Sequence, residues 1–216
     1  MYIPSSFSET DLQVLTGLID KHPLGLFITN SAVGLLATPI PFKYRHDYRH
    51  DDKPKLVAHL ARANPHWKEL IDLNECLVVF QGAESYITPT WYPSKEATHK
   101  VVPTWNYEMV QVRGKPRVIE SAEWLKAQVA ELTNLMEQKR AESWDIADAP
   151  ADFIESQLKA IVGLEIEITE IKGKWKMSQN RSPEDVKGVV EGLCDSKDPH
   201  FNPELAEIVS SRVSKK

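Results

Sequence analysis

Stretches rich in branched and aromatic residues recur along most of the chain, and turn-type sequence separates one from the next. Such stretches predict β-strands, so they restrict the fold to one built mainly on a sheet. Gly163–Ile171 shows the pattern best, because aliphatic residues alternate there with glutamates as in a half-exposed strand. The predicted strands are Leu24–Thr29, Leu35–Phe42, Lys55–Leu60, Cys76–Gln81, Ser85–Thr88, Trp105–Val112, Pro116–Ile119, Gly163–Ile171 and Trp175–Met177.

Two glycine-centred segments predict turns between these strands. Arg113-Gly114-Lys115 separates two strand-like stretches and predicts a hairpin. Lys172-Gly173-Lys174 predicts a second turn before the Trp175–Met177 strand.

Other segments have the period of a helix. A helix after Ser8–Asp11 is expected to end before Pro23, and Ser121 is a candidate N-cap for a long helix. The remaining predicted helices are about Asn64–Leu73, Ser121–Arg140, Ala151–Ile161, Ser182–Leu193 and Asn202–Val213. We expect an α+β, mainly β, single domain over residues 1–216, with helical additions at about 121–161 and 182–213 and a helical C-terminal tail.

Charge and hydropathy restrict the function. The 216 residues carry a net charge of −5, which argues against DNA binding as the main activity because DNA-binding surfaces are basic. A local basic patch remains compatible with DNA. No apolar run approaches the roughly 20 residues of a membrane span, and the N-terminus lacks signal-peptide features, so we expect a cytoplasmic protein without membrane contact. Cys76 and Cys194 have no ligand-type spacing and are expected to be buried, reduced thiols.

The segment Glu84–Lys95, followed by Val102–Tyr107, has the composition of a ligand site. Its aromatic side chains can stack on a planar ring, while its hydroxyl groups and lysine can bind a phosphate. The alternative from composition alone is a surface loop stiffened by prolines.

Four motifs together resemble those of a known family. They are Met1–Phe7, His59–Pro65, the Glu84–Tyr107 segment and Gly173–Asn180, and they occur in the family's order between Met1 and about Leu193. The chain resembles the PaiB family of FMN-binding negative transcriptional regulators. The resemblance implies a flavin-binding split β-barrel, related to the pyridoxamine-phosphate-oxidase barrels. It also implies a homodimer that holds FMN at the subunit interface.

His59 and Arg62 lie where a predicted strand meets a predicted helix, and helix N-termini favour anions. The structural alternative is that Asn64 caps the helix, Pro65 occupies its first position and Arg62 is solvated. The resemblance places this strand beside the flavin, which makes His59 and Arg62 candidate contacts with the isoalloxazine or the phosphate.

A second group of candidates comes from the related oxidase barrels, in which a threonine and a later Ser/Lys pair bind the FMN phosphate. The corresponding residues are Ile87-Thr88 and Ser94-Lys95, with a spacing one residue longer than in those barrels. We therefore expect Ser94 and Lys95 to be the principal phosphate contacts. The alternative for Lys95 is an exposed surface lysine.

Two further strands contribute candidate contacts with the flavin ring. Alternation puts Thr104, Asn106 and Glu108 on one face of their strand. Thr104 and Asn106 are candidates for hydrogen bonds to the flavin edge. The resemblance makes Lys176 and Gln179 candidates that reach the flavin from the neighbouring subunit.

The segment Tyr44–Asp52 repeats a four-residue unit, so that His46 and His50 would bind a metal together if the segment were helical. Nothing nearby predicts a stable helix, and a solvated hairpin loop is the favoured interpretation. We therefore predict no metal site. Related split barrels bind haem, but neither histidine lies in a haem signature.

Two classes of function follow from these observations. The first is an FMN-binding homodimer that acts as a negative transcriptional regulator or flavin-dependent sensor. The second is a flavin-dependent oxidoreductase acting on a small substrate, with haem binding as a further alternative. No catalytic residue stands out, and His59 is the best candidate for acid–base chemistry because its ordinary pKa lies near neutral pH.

Overall fold

The structure is a computed structural model that describes residues 1–46 and 53–213. Within these residues the strands are β1 (Ser8–Glu9), β2 (Leu24–Ser31), β3 (Gly34–Pro41), β4 (Lys43–Arg45), β5 (Lys55–Ala61), β6 (Cys76–Ile87), β7 (Thr104–Ile119) and β8 (Ile161–Lys176). The α-helices are α1 (Leu12–Lys21), α2 (Ser94–Thr98), α3 (Ala122–Glu137), α4 (Ala151–Lys159), α5 (Pro183–Cys194) and α6 (Pro203–Val213).

The strands form one sheet in the order β3-β2-β6-β7-β8-β5-β4, with β1 pairing to β8. Every pair with a defined register is antiparallel, for example Phe27 opposite Val78 and His59 opposite Gly163. This arrangement of an antiparallel sheet with flanking helices confirms the α+β, mainly β, prediction.

Both predicted turns in the long strands are wrong, and so is the predicted break around Gly82, because Cys76–Gln81 and Ser85–Thr88 fall almost entirely within one continuous strand, β6. β7 runs unbroken through Gly114. A side chain at this position would clash with β8, because a Cβ atom there would lie 2.4 Å from the Glu167 carbonyl oxygen. Gly114 therefore permits a close approach of two strands and forms no turn. β8 is likewise continuous through Gly173, which pairs with Glu9 of β1.

Most helix predictions are confirmed, and the boundaries have local causes. Ser121 accepts a hydrogen bond from the Trp124 amide at 3.3 Å, which satisfies a free N–H at the start of α3. The helix expected over Asn64–Leu73 is instead a short 3-10 helix, Pro65–Leu70, capped by the Asn64 side chain at 3.0 Å from the His66 amide. In the segment Tyr44–Asp52, for which a solvated loop was predicted, residues 47–52 lie outside the described residues.

The chain divides into two compact units, and β6, β7 and β8 contribute residues to both. We call them the terminal unit and the central unit. The terminal unit comprises Met1–Asp11, Gln81–Val110 and Lys172–Lys216, and the central unit comprises Leu12–Phe80 and Gln111–Ile171. The prediction of a single domain stays a prediction.

The core of the central unit is aromatic and aliphatic. Phe42 contacts Phe27 and Phe80 edge to face, with ring centroids 6.3 Å and 5.9 Å apart. The apolar stripe of α1 buries Leu18 and Ile19. Edge-to-face contacts between buried rings add to the hydrophobic stabilisation of this core.

The terminal unit is organised around two helices at its C-terminal end. α5 packs closely on the Pro89–Trp91 segment. The contact requires glycine at position 188, since a Cβ atom there would lie 1.9 Å from the Trp91 carbonyl oxygen. Arg212 of α6 forms an ion pair with Glu9 of β1. Burial opposes ionisation of Glu9, but the hydrogen bond and charge of Arg212 together with the hydrogen bonds from the Asp11 and Thr10 amides outweigh it, so the pKa of that carboxyl group is lowered.

Candidate functional site

The terminal unit holds a half-buried lysine between two strand ends. Lys176, the last residue of β8, donates from its Nζ to the Thr104 Oγ1 at 2.5 Å and to the Trp105 carbonyl oxygen. Both acceptors are neutral and lie at the start of β7. The predicted residues Thr104 and Lys176 are therefore brought together.

Two further cations act on Lys176. Burial lowers the pKa of the Lys176 ammonium group, and the charges of Lys174 and Arg181 lower it further. We call Lys174, Lys176 and Arg181 the cation cluster. No ion pair to a carboxylate is found for any of the three within residues 1–46 and 53–213. A cluster of like charges without a counter-ion is suited to an anion.

Aromatic rings border the cation cluster. The Lys174 Nζ lies 5.2 Å from the centre of the Tyr107 ring, and the Arg181 guanidinium lies 4.7 Å from the centre of the Tyr92 ring. Rings at this distance stabilise a positive charge through its contact with the ring face. The cluster therefore combines cations of the β8 end and the turn after it with aromatic rings of the Glu84–Tyr107 segment.

Next to this cluster, the predicted polar face of β7 is buried. Asn106 is inaccessible to solvent and donates from its Nδ2 to the Ser178 Oγ at 2.9 Å. Glu108, which is 5% exposed, accepts a hydrogen bond from the Ala83 amide at 3.3 Å. The carboxylate of Glu108 occupies the space left by the missing side chain of Gly82, since a Cβ atom there would lie 2.3 Å from the Glu108 Oε1. Alternation predicted the shared face, but the burial of Glu108 depends on a neighbouring strand.

The residues predicted to bind phosphate through hydroxyl groups are engaged within the protein. Ser94 donates from its Oγ to the Asp185 Oδ2 at 2.7 Å, and its amide donates to the Asp185 Oδ1 at 3.1 Å. Thr88 caps the Pro89–Trp91 segment and bonds the Thr90 hydroxyl at 2.9 Å. Lys95 has no side-chain hydrogen bond or ion pair among the described residues, so its charge remains available.

The other two predicted residues of the terminal unit have structural contacts. Gln179 accepts from the Met177 amide and donates to the Trp175 carbonyl oxygen, each at 2.6 Å. These bonds shape the turn that follows β8, where Ser178 has a φ of 62°. Ile87 is inaccessible to solvent and belongs to the core.

The central unit contains His59 in contact with a buried glutamine that the sequence analysis missed. The His59 Nδ1 lies 2.8 Å from the Gln128 Oε1, joining β5 to α3. Gln128 is inaccessible to solvent, and its Nε2 has no hydrogen-bond partner among the described residues. A buried amide donor without an acceptor is unfavourable. The sequence gives no signal for Gln128, because a glutamine in an amphipathic helix is normally expected to face solvent.

Arg62, also in the central unit, has several partners among the described residues, including the Trp67 ring, whose centre lies 6.0 Å from its guanidinium. It donates to the Glu120 carboxylate at 2.9 Å, to the Lys159 carbonyl at 3.1 Å and to the Ile161 carbonyl at 3.2 Å. These bonds tie the end of β5 to the start of β8. Arg62 also borders a cleft of about 570 Å³ with Leu125 and Leu158 among its apolar lining residues.

The donors present match the groups of FMN. The phosphate of FMN is an anion that the cation cluster of the terminal unit can neutralise. In the terminal unit, positive charge for the phosphate is offered by the cation cluster and, separately, by Lys95.

Comparison with known proteins decides the family. Residues 1–170 match the model of the family described as "Putative FMN-binding domain". The chain belongs to this FMN-binding family. Its PaiB character is supported by a relative in Bacillus subtilis (strain 168), the "Protease synthase and sporulation protein PAI 2". The two chains are 30% identical over 220 residues, which cover 100% of this chain and 99% of the relative. FMN is thus the cofactor of the family to which this PaiB-type chain belongs.

Solved structures share the fold. The "FAD and Heme binding protein from Mycobacterium smegmatis" superposes with a TM-score of 0.59 at 18% identity, over 83% of this chain and 78% of that one. The "Flavocytochrome Anf3 from Azotobacter vinelandii" has a TM-score of 0.55 at 14% identity, over 84% of this chain and 75% of that one. The PaiB-type chain therefore has the predicted flavin-binding split-barrel fold with flanking helices. None of the helices in the described residues is long and apolar enough to cross a membrane.

Proposed function

We propose that this chain binds FMN as a homodimer and acts as a flavin-dependent sensor that represses transcription. The cation cluster of the terminal unit carries the proposal for FMN. A half-buried lysine whose pKa is lowered by burial and by two neighbouring cations is unfavourable unless an anion binds there. The phosphate of FMN is such an anion.

The residues of the cluster have separable roles in this proposal. Thr104 and the Trp105 carbonyl orient the Lys176 ammonium group, so that it is fixed before the ligand arrives. Lys174 and Arg181 add charge while contacting the Tyr107 and Tyr92 rings. When bound, FMN supplies reversible one- or two-electron chemistry. Binding of the phosphate raises the pKa of Lys176 again, because the anion favours the charged form.

A titration of Lys176→Gln with FMN and with riboflavin, which lacks the phosphate, tests the cluster. The wild-type protein is expected to bind FMN more tightly than riboflavin. We expect Lys176→Gln to lose roughly thirtyfold or more in FMN affinity, since one partner of a partly buried charge pair is removed. Its affinity for riboflavin should change little.

Lys187→Gln is the matched control, because Lys187 lies on the exposed face of α5 with a side chain that is 77% exposed. It should bind FMN as the wild-type protein does. Unchanged FMN affinity in Lys176→Gln would place the phosphate elsewhere. Absence of FMN binding by the wild-type protein would reject the proposed function itself.

The homodimer is supported by an exposed apolar face on the β2–β3 hairpin. Leu24 is 63% exposed and Leu26 is 40% exposed on β2, while Leu35 is 77% exposed on β3. Pro39 lies opposite Leu26, and Ala37 lies opposite Ile28. These residues share one face of the hairpin, which is apolar and at least partly exposed from Leu24 to Ile28 on β2 and carries the uncharged polar residue Asn30 opposite Leu35 at its end. A second copy of the chain offers the same uncharged face.

Sedimentation velocity of Leu26→Lys tests this interface. A lysine in the centre of the apolar face should convert the dimer to a monomer with an unchanged circular dichroism spectrum. Ile71→Lys is the control, because Ile71 is an exposed apolar residue of the same unit, 69% exposed, outside the hairpin. A dimeric Leu26→Lys variant would remove the hairpin from the interface.

The regulatory part of the proposal rests on the PaiB family and on the relative named for protease synthesis and sporulation. The net charge of −5 makes a partner protein the better route to DNA than direct binding. The two free cysteines fit a reducing compartment, so the proposal includes a cytoplasmic location. Binding to promoter DNA should be measured with oxidised and with reduced FMN at several salt concentrations. An identical response in both redox states would reject the sensor role.

A further inference from the structure

Helix α4 of the central unit is only partly covered by the rest of the protein. Its apolar residues Ile154 and Leu158 are four positions apart and therefore share one face of the helix. Leu158 is 9% exposed, Ile154 is half-buried, and the neighbouring Phe153 is 54% exposed. The burial of apolar side chains thus decreases towards the start of α4, which leaves part of its apolar surface open to solvent.

The cleft of about 570 Å³ lies where the end of α4 meets the start of α3. Leu125 of α3 and Leu158 of α4 belong to its apolar lining, and Arg62 and Glu120 at its rim are bonded to each other. The other charged residues at the rim are two carboxylates and two cations, namely Glu123, Glu155, Lys126 and Lys159. Because the charges of the rim balance, the volume and the apolar lining decide what enters the cleft. An aliphatic or aromatic side chain fits both.

The charge of the chain leading into α4, and of α4 itself, has one sign. Residues 141–158, which we call the acidic segment, contain five carboxylate side chains and no lysine or arginine. The formal charge of this segment is therefore as large as the net charge of −5 of the whole chain. All five carboxylates are exposed, and none has an ion pair in the part of the chain that the structure describes. They are Glu142, Asp145, Asp148, Asp152 and Glu155.

We propose that α4 and the cleft beside it form a docking surface for a basic segment of a partner protein. An apolar side chain of the partner enters the cleft, and further apolar side chains pack on Phe153. Lysine or arginine residues of the partner lie beside the carboxylates of the acidic segment. The inference deepens the regulatory part of the proposed function, on which it rests, by naming the surface and the chemistry of the partner protein. It does not depend on the FMN site.

Charge complementarity selects this occupant over three others. The carboxylates of the acidic segment repel the phosphates of nucleic acid and the headgroups of an anionic membrane. A second copy of the chain, docked on the same surface about a two-fold axis, would place the two acidic segments opposite each other. A basic protein segment with apolar side chains is attracted to the carboxylates and also covers the exposed apolar residues.

Fluorescence anisotropy with two labelled peptides tests the apolar part of the surface. The first is a helix-forming peptide with leucines on one face and lysines on the other, and the second has serine in place of each leucine. The wild-type protein should bind the leucine peptide at least about tenfold more tightly, because only this peptide buries apolar side chains. Phe153→Ser should weaken binding of the leucine peptide about fivefold to tenfold. Ile71→Ser, at a 69% exposed apolar residue of the same unit, is the matched control and should bind as the wild-type protein does.

A double variant, Glu142→Gln with Glu155→Gln, tests the charge of the surface. Neither carboxylate has a hydrogen-bond or ion-pair partner among the described residues, so the fold should be unaffected. Binding of the leucine peptide should weaken about threefold to tenfold at low salt, and the difference from the wild-type protein should disappear at high salt. The matched control is Glu184→Gln with Glu207→Gln, which removes the same charge from exposed positions of α5 and α6. It should bind the peptide as the wild-type protein does.

The outcomes separate this inference from the proposed function. Equal binding of the two peptides by the wild-type protein, or unchanged binding of the leucine peptide by Phe153→Ser, would overturn the docking surface and leave the FMN site standing. A change from dimer to monomer in Phe153→Ser, measured by sedimentation velocity, would also overturn it, because a second copy would then occupy α4. Peptide binding that is weakened in both α4 variants and unchanged in both controls would support the inference, even if the wild-type protein failed to bind FMN and the proposed FMN site were rejected.

Discussion

Arg62 and Lys176 are both cations that the sequence predicts as flavin contacts, yet their surroundings differ. Arg62, in the central unit, donates to the Glu120 carboxylate and to two backbone carbonyls. Among the residues that the structure describes, Lys176 of the terminal unit donates to neutral oxygens, and the charged groups that shift its pKa are cations. The charge of Arg62 is neutralised within the protein, whereas that of Lys176 is not.

The difference separates structural cations from candidate ligand-binding cations. An exposed pair such as Arg62–Glu120 contributes modestly, and its backbone bonds hold two chain segments together. A half-buried ammonium group among like charges is unfavourable in the free protein, so an anion that binds there gains affinity. We therefore expect loss of Arg62 to change stability, and loss of Lys176 to change FMN affinity.

The largest expected effect concerns Ser94, which donates to the buried carboxylate of Asp185. Ser94, like Arg62, is therefore expected to stabilise the fold and not to bind FMN. Asp185→Ala removes two hydrogen bonds to a charged acceptor, and we expect the free energy of unfolding to fall by about 2–3 kcal/mol. Urea denaturation at pH 7 measures it. Asp195→Ala, at an exposed position that follows α5, is the control. If Ser94 is instead held back from phosphate by Asp185, FMN affinity would rise at least tenfold without loss of stability.

Arg62→Gln should have the next largest effect. We expect the free energy of unfolding to fall by about 1–2 kcal/mol, because the carbonyls of Lys159 and Ile161 lose their donors. FMN affinity, measured by fluorescence titration, should stay within about threefold of the wild-type value, because this cation is already neutralised. Lys68→Gln, at a neighbouring cation, is the control. A large loss of FMN affinity at full stability would show that Arg62 binds the phosphate.

The sequence predicted what depends on local pattern. β2, β3 and the caps of α3 and α5 follow from periodicity and from Ser121 and Ser182. The break in β7 was wrong, because the reason for Gly114 is the approach of Glu167 from a distant part of the chain. The engagement of Ser94 also depends on a residue that lies 91 positions away. Local sequence therefore identifies candidate residues, but it does not show whether their charges are neutralised.

The buried histidine of the central unit extends the comparison to pH. His66 is 2% exposed, and its ring nitrogens lie 2.8 Å from the hydroxyl oxygens of Thr29 and Thr38. Burial lowers the pKa of His66 although the carboxylate of Glu69 opposes the shift. The unfolded chain therefore binds a proton more readily than the folded protein.

Stability associated with His66 should be complete above the ordinary histidine pKa and be lost as the pH falls through the lower folded value. One proton limits this slope to about 1.4 kcal/mol per pH unit. Urea denaturation from pH 7.5 to 5 measures it. His66→Gln should have a smaller slope, and His99→Asn, at an exposed turn position, should keep the wild-type slope. Equal slopes in all three proteins would assign the acid sensitivity to other groups.

The smallest expected effect is the pH dependence of FMN affinity, and it tests the charge state of Lys176 directly. Burial and the charges of Lys174 and Arg181 lower the pKa of the free ammonium group, and phosphate raises it again. FMN affinity should therefore fall as the pH rises above neutrality and through the lowered pKa of the free Lys176 ammonium group. The reason is that a growing share of the free protein must first take up a proton. Lys176→Arg should abolish this fall, because a guanidinium group does not titrate in that range.

Riboflavin affinity should show no such fall in either protein, since the ammonium group then has no phosphate to bind. An equal fall for riboflavin in the wild-type protein would show that the pH dependence comes from the flavin ring and not from the phosphate. Lys176 would then be no better supported as a phosphate-binding residue than Arg62.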